Sequence, residues 1–272
     1  MRAGGATLPA LALGGQRLVN DTNDFILETA GLTKEFRGFV AVKGVSLKVR
    51  RGTIHALIGP NGAGKTTCFN LLTKFLTPTS GRILYKGQEI TSAAPAEIAR
   101  QGLVRSFQIS AIFPGCTLVE NVRVALQRVH HGLSFDFWRS AKVLRRLDAR
   151  ARELLDDVGL ADAADDIAGE LPYGRKRALE LATTLALEPQ VLLLDEPTAG
   201  MGHEDVDRIA ALIKKVAVNR TVLMVEHNLK IVANLSDTIT VLARGEVLAE
   251  GDYATVSKNR DVVEAYMGGE HA

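Results

Sequence analysis

The segment GPNGAGKTT at residues 59–67 constrains this chain more than any other. It joins an apolar strand-like run, Ile54–Ile58, to a helical pattern over 64–74 in which Cys68, Leu71 and Leu72 share a face. Gly59, Gly64, Lys65 and Thr66 satisfy the spacing G-x-x-x-x-G-K-[ST]. Glycines let such a loop bend until successive N–H groups point inward, and the following helix adds its positive end. Gly59, Pro60, Asn61, Gly62, Ala63, Gly64, Lys65, Thr66 and Thr67 therefore read as a phosphate cradle. In a cradle of this kind the lysine reaches the β- and γ-phosphates of ATP, and the threonine hydroxyl ligates Mg²⁺.

A second run, 191–194, ends abruptly in Asp195 and Glu196. In an α/β sheet a buried strand delivers such acids to its carboxyl edge, where ligands sit. Asp195 is expected to hold the magnesium through water, and Glu196 to orient and polarise an attacking water. The bland alternative, a core strand ending in a solvated acidic turn, loses most of its weight beside Lys65 and Thr66.

Composition narrows the partners. The 33 Lys and Arg against 31 Asp and Glu leave a formal charge of +2, too near zero for a chain built to coat nucleic acid or an acidic membrane. No stretch approaches the roughly 18 apolar residues of a spanning helix, so a membrane role requires a partner. Cys68 and Cys116 lie in unrelated contexts, suggesting neither a disulfide framework nor a metal cluster and fitting a reducing cytosol. His130-His131 lack a third ligand nearby.

Residues 1–22 read as a mobile N-terminal extension, 23–268 as a single domain and 269–272 as a tail. Strand-like runs over 25–29, 40–49 and 54–58 open the domain, and a hairpin over 82–90 turns at Lys86-Gly87. From 94 to about 188 the pattern is mostly helical; 139–157, with apolar Val143, Leu144, Leu147, Leu154 and Leu155, predicts an amphipathic helix. A helical subdomain over about 109–188 is the expectation. Strands at 191–194, 221–225, 238–242 and 246–249, with a helix over 204–216, imply an α/β sheet with crossover connections.

Several motifs in one order make the chain, over about 25–268, resemble the nucleotide-binding subunits of ATP-binding cassette (ABC) transporters. Phe36 matches the aromatic that stacks on adenine, and Gln108 in SFQ matches the Q-loop. LPYGR, Leu171, Pro172, Tyr173, Gly174 and Arg175, matches the signature, and His227 in MVEHN matches the switch histidine. The resemblance implies a P-loop ATPase core with an antiparallel β subdomain and a helical signature subdomain. Its catalytic residues would be Glu196, His227 and Gln108, its metal would lie near Thr66, Gln108 and Asp195, and a dimer would sandwich ATP between one cradle and the partner's signature.

Departures from the family pattern fall at the signature and D-loop. Pro172 replaces the usual serine, Tyr173 the first glycine, Arg175 the glutamine, and Gly202 the usual Asp or Asn. A hydroxyl contact to the γ-phosphate is lost and a cation gained, so efficient hydrolysis is expected to depend on a partner with a more usual signature.

FRGFVAVKGVSL, LPYGR, PTAGM and VVEAYMG at 262–268 further resemble the ATP-binding subunits of branched-chain amino acid importers. That implies permease subunits, a second ABC ATPase and, indirectly, a substrate-binding protein, with no nucleic acid, and a cytoplasmic protein held peripherally on the inner face of the membrane. Residues 107–118, with Ile112, Phe113 and Pro114, read either as a permease-facing surface or as a loop packed on its own subdomain. Trp138, Phe135 and Phe137 read as packing the subdomain or its permease face. A non-transport ABC ATPase and a P-loop kinase are the competing functions.

Overall fold

The computed structural model describes residues 24–106, 112–129 and 145–267. The expected mobile extension, the tail, Gln108, the His130-His131 pair and the aromatics at 135–138 lie outside the described residues.

Two sheets organise the described chain. The first is antiparallel, in the order β2 (Phe39–Val45), β1 (Phe25–Phe36), β5 (Ser80–Tyr85), β6 (Gln88–Glu89), with β3 (Lys48–Arg50) also paired to β1. The second has six strands in the order β11 (Glu246–Gly251), β10 (Thr238–Ala243), β4 (Ile54–Ile58), β9 (Thr221–Val225), β8 (Val191–Asp195), β7 (Leu103–Arg105). All of its pairs are parallel except the antiparallel edge β10–β11.

Helix α1 (Lys65–Leu72) follows β4, and α2 (Pro95–Arg100) precedes β7. A helical stretch then carries α3 (Leu118–Val129), α4 (Asp148–Asp157) and α5 (Tyr173–Leu185). Helices α6 (His203–Ala217), α7 (Leu229–Leu235), α8 (Tyr253–Ser257) and α9 (Arg260–Met267) complete the described chain.

The six-stranded sheet is apolar on both faces because both are covered. Leu192 and Leu194 of β8, with Val222 and Met224 of β9, pack into a cluster shared with α3 to α7. Their neighbours Val191, Leu193, Leu223 and Val225 point the other way, onto the antiparallel sheet and onto Cys68, Phe69, Leu71 and Leu72 of α1. That alternation is the period of two of a pleated strand, and two covered faces turn it into a continuous apolar run. Each buried Leu or Val contributes about 1.5–3 kcal/mol. A slip placing Asp195 where Leu194 sits would also bury a carboxylate, so the acid is held at the strand's end.

Three expectations change. The first strand runs on from the expected 25–29 to Phe36. The run over 40–49 forms two strands, not one, because β2 and β3 pair with different halves of β1, Val45 opposite Leu32 and Val49 opposite Leu27. The Thr29 hydroxyl spans the break, donating to Val45 O at 2.9 Å and accepting from Leu47 N at 2.8 Å. The stretch from 94 to 188 also contains a strand, β7, which pairs with β8. Three residues are too few to display a strand's periodicity, and only the neighbouring strand reveals them.

Candidate functional site

The cradle is built by close backbone packing. Gly59 and Gly64 have φ of 150° and 96°. A Cβ on Gly59 would lie 2.1 Å from Leu242 O, and one on Gly64 would lie 2.4 Å from Ala41 O. The loop is thus pressed between β10 and β2, where only glycine fits. Lys65 Nζ folds over it, donating to Gly59 O at 2.7 Å and Pro60 O at 2.9 Å. Burial pushes the Lys65 amine below the usual lysine range, while the charge of Glu196 opposes that shift. The amides of the first turn of α1 lack intrahelical acceptors and face the loop's mouth, beside the exposed Thr66.

Phe36 ends β1 at the tip of a hairpin whose other strand supplies the Ala41 carbonyl against Gly64. Its ring is 41% exposed, with Lys34 Nζ 5.1 Å from the centroid.

Asp195 and Glu196 leave β8 at the same sheet edge as the cradle. Asp195 forms an ion pair with Arg105, which also donates to Asn70 Oδ1 at 2.7 Å. The sequence reading missed Arg105, because its partners lie on α1 and β8 and no local spacing marks it. Glu196 sits at φ 46°, a left-handed conformation that costs a non-glycine residue about 1 kcal/mol, and its N–H donates to Val225 O at 2.9 Å. This turn swings the carboxylate out of the sheet, to 45% exposure. His227, just past β9, brings Nδ1 to 4.0 Å from Glu196 Oε1.

The signature positions open α5. Leu171 is buried and Pro172 is the N-cap, with φ −57° and ψ 156°. The Tyr173 hydroxyl donates to Ala199 O at 3.1 Å, fastening the helix to the turn after Glu196. A Cβ on Gly174 would lie 2.7 Å from the Asp205 carboxylate, a side-chain end that would have to turn aside. The cation expected from Arg175 is not free: Arg175 donates to Asp162 Oδ1 at 2.6 Å, which holds the Asp162 carboxyl below its usual range.

The structure therefore brings Gly59 to Thr67, Asp195, Glu196 and His227 to one sheet edge. Gln108 lies outside the described residues; Ser106 N–H donates to Leu193 O at 2.9 Å, so the chain departs for it from beside Asp195. Both readings of 107–118 find support among its described residues. Phe113 bonds through its backbone to Asn121 at 2.7 and 3.0 Å, tying the segment to α3, while its ring is 51% exposed.

Residues 42–199 match the family described as ABC transporter. The chain belongs to the ABC transporter family.

A second match, to the family described as branched-chain amino acid ATP-binding cassette transporter, covers residues 246–272 of this ABC cassette. It is 42% identical to the high-affinity branched-chain amino acid transport ATP-binding protein BraF of Pseudomonas aeruginosa, over 89% of this chain and 98% of that protein. It resembles the ADP conformation of a solved ATP-binding cassette, with TM-score 0.77 and 29% identity over 90% of this chain and 99% of that one. A dimeric post-hydrolysis cassette bound to ADP and Pi is similar at TM-score 0.70 and 25% identity, over 83% of this chain and 98% of that one.

The cassette's residues fit a magnesium ion bound with nucleotide. Thr66 and Asp195 supply hard oxygen donors, and Mg²⁺ takes one or two protein oxygens while phosphate and water supply the rest. Among the described residues no group of three or more His, Cys, Asp or Glu could hold a metal ion. Among the described residues no helix is long and apolar enough to cross a membrane.

Proposed function

We propose that this chain binds ATP with Mg²⁺ and hydrolyses it as the energising subunit of a membrane importer, with branched-chain amino acids or a related small polar solute as cargo. One observation carries the chemistry: the Glu196 and His227 side chains meet at 4.0 Å on the sheet edge that also holds the phosphate cradle. The cargo rests on the similarity to BraF and on the family matched by residues 246–272.

In this reading Phe36 stacks on adenine, the cradle amides and Lys65 grip the phosphates, and Thr66, Asp195 and Gln108 would hold the metal. When bound, Mg²⁺ would neutralise negative charge on the phosphates. Glu196 orients and polarises the attacking water, and His227 hydrogen-bonds the γ-phosphate. Positioning and charge, with no covalent step, supply the acceleration. Leu171 to Arg175 close over the cradle of a partner ATPase, whose own signature closes over this one.

Residues 23–268 form one ABC domain, with 109–188 as its helical subdomain. Residues 107–118, where the Phe113 ring is exposed, form part of the surface that receives a permease. Docking there places the chain on the cytoplasmic face of the membrane, and a substrate-binding protein acts through the permeases.

Glu196→Gln tests the reading. It should keep ATP binding while turnover falls by about 10²-fold or more, and Lys65→Ala should instead weaken binding. Normal turnover in a complete transporter carrying Glu196→Gln would sink the assignment, and phosphate transfer to a small molecule in place of hydrolysis would indicate a kinase.

A further inference from the structure

Glu226 follows β9, is fully buried, and lies immediately before His227. Its Oε1 accepts the Thr198 N–H at 3.1 Å and also the Thr198 hydroxyl. Its Oε2 accepts the N–H groups of His227 and Asn228 at 2.8 and 3.0 Å. Thr198 stands in the turn that leaves Glu196, and the next residue, Ala199, accepts the Tyr173 hydroxyl. Asn228 in turn caps α7, its side chain accepting from Lys230 and Ile231. One carboxylate thus joins the turn under the signature helix to the backbone that carries His227.

We propose that Glu226 is a positioning residue for ATP hydrolysis. It holds His227 against Glu196 and makes that geometry depend on the turn fastened to Tyr173. The proposal rests on the roles given to Glu196 and His227 above.

The donor set makes the acid specific. Both oxygens receive only donors, which an ionised carboxylate accepts on either side; glutamine of the same shape accepts on one side and turns an NH₂ group toward N–H donors on the other. Inside a buried pocket the mismatch forces one of the two loops to move. A displacement of about 1 Å at a catalytic group costs about 10²-fold in rate. The sequence cue was the one already used at Asp195, an apolar strand ending in an acid.

The test uses Glu226→Gln, His227→Ala and the double variant, assembled in the complete transporter for hydrolysis and as the purified full-length chain for affinity and NMR. Three quantities are read: single-turnover ATP hydrolysis, ATP affinity, and the His227 imidazole signal by NMR. Glu226→Gln should slow hydrolysis about tenfold or more, leave affinity within about threefold, and shift the imidazole signal. In the His227→Ala background it should add less than about twofold, since the two act as one unit.

Losses that multiply in the double variant, or an unmoved rate and imidazole signal in Glu226→Gln, overturn the proposal alone. Wild-type hydrolysis by His227→Ala overturns the underlying assignment and the proposal with it. Should Glu226→Gln fail to fold, Thr198→Val removes one donor from the far side of the carboxylate. It must still shift the His227 signal and slow hydrolysis by about two- to fivefold, and an unchanged signal rejects the proposal.

Discussion

The Arg105 guanidinium is paired with the Asp195 carboxylate, and its other nitrogen donates to Asn70 Oδ1 at 2.7 Å. The arginine thus ties β7, β8 and α1 together at the point where the metal-holding acid is expected.

With the two side chains only 17% and 18% exposed, removing the cation leaves a mostly buried charge. Arg105→Ala should destabilise the nucleotide-free chain by about 3 kcal/mol, near the low end for a buried pair. If Asp195 holds the metal as proposed, Mg–ATP should recover part of that loss, because the bound ion would also neutralise the carboxylate. Urea denaturation with and without Mg–ATP measures both; equal stabilisation of wild type and variant by the nucleotide would refute the account.

Pro172 caps α5 without a side-chain acceptor. Its φ and ψ are open to serine, whose hydroxyl would accept an amide of the first turn and contribute about 1 kcal/mol. The same hydroxyl restores the group that family members aim at the γ-phosphate. Pro172→Ser should therefore raise both the melting temperature and the ATPase rate of the isolated protein, and an unchanged or lower rate would count against the role given to this position.

His55, buried on β4, shares a hydrogen bond of 2.8 Å with Thr240, and burial pushes its pKa down to about 4. Between that value and the ordinary 6.5 the unfolded chain binds the extra proton, so stability rises with pH across the window and is lost as pH falls. From pH 7 to 5 this group alone should remove about 2 kcal/mol. Denaturant titrations of wild type and His55→Gln at both pH values isolate the effect: the variant should lose less stability than the wild type over the same interval, and parallel losses would show that another group titrates.

The elements legible in the sequence are those whose signal is local. Ile54–Ile58 and Thr221–Val225 form strands over the expected residues, because both are apolar runs bounded by turn residues. The cradle was legible for the same reason, its glycines and lysine lying within nine residues. The three-residue strand β7 and the division of 40–49 into two strands were not, since each depends on which distant strand lies opposite.

The sequence by itself determined the strand–loop–helix of the cradle and the acid-ended strand at Asp195, through spacings that fix backbone shape and strand period whatever surrounds them. Only the tertiary structure decided what grips those groups. Arg105 and Asp195 are 90 residues apart, Thr198 and Glu226 28, and Tyr173 and Ala199 26. Contacts of that reach leave no periodicity in the chain. They exist because parallel strands gather their carboxyl ends along one edge, where residues remote in sequence must satisfy one another's charges and hydrogen bonds.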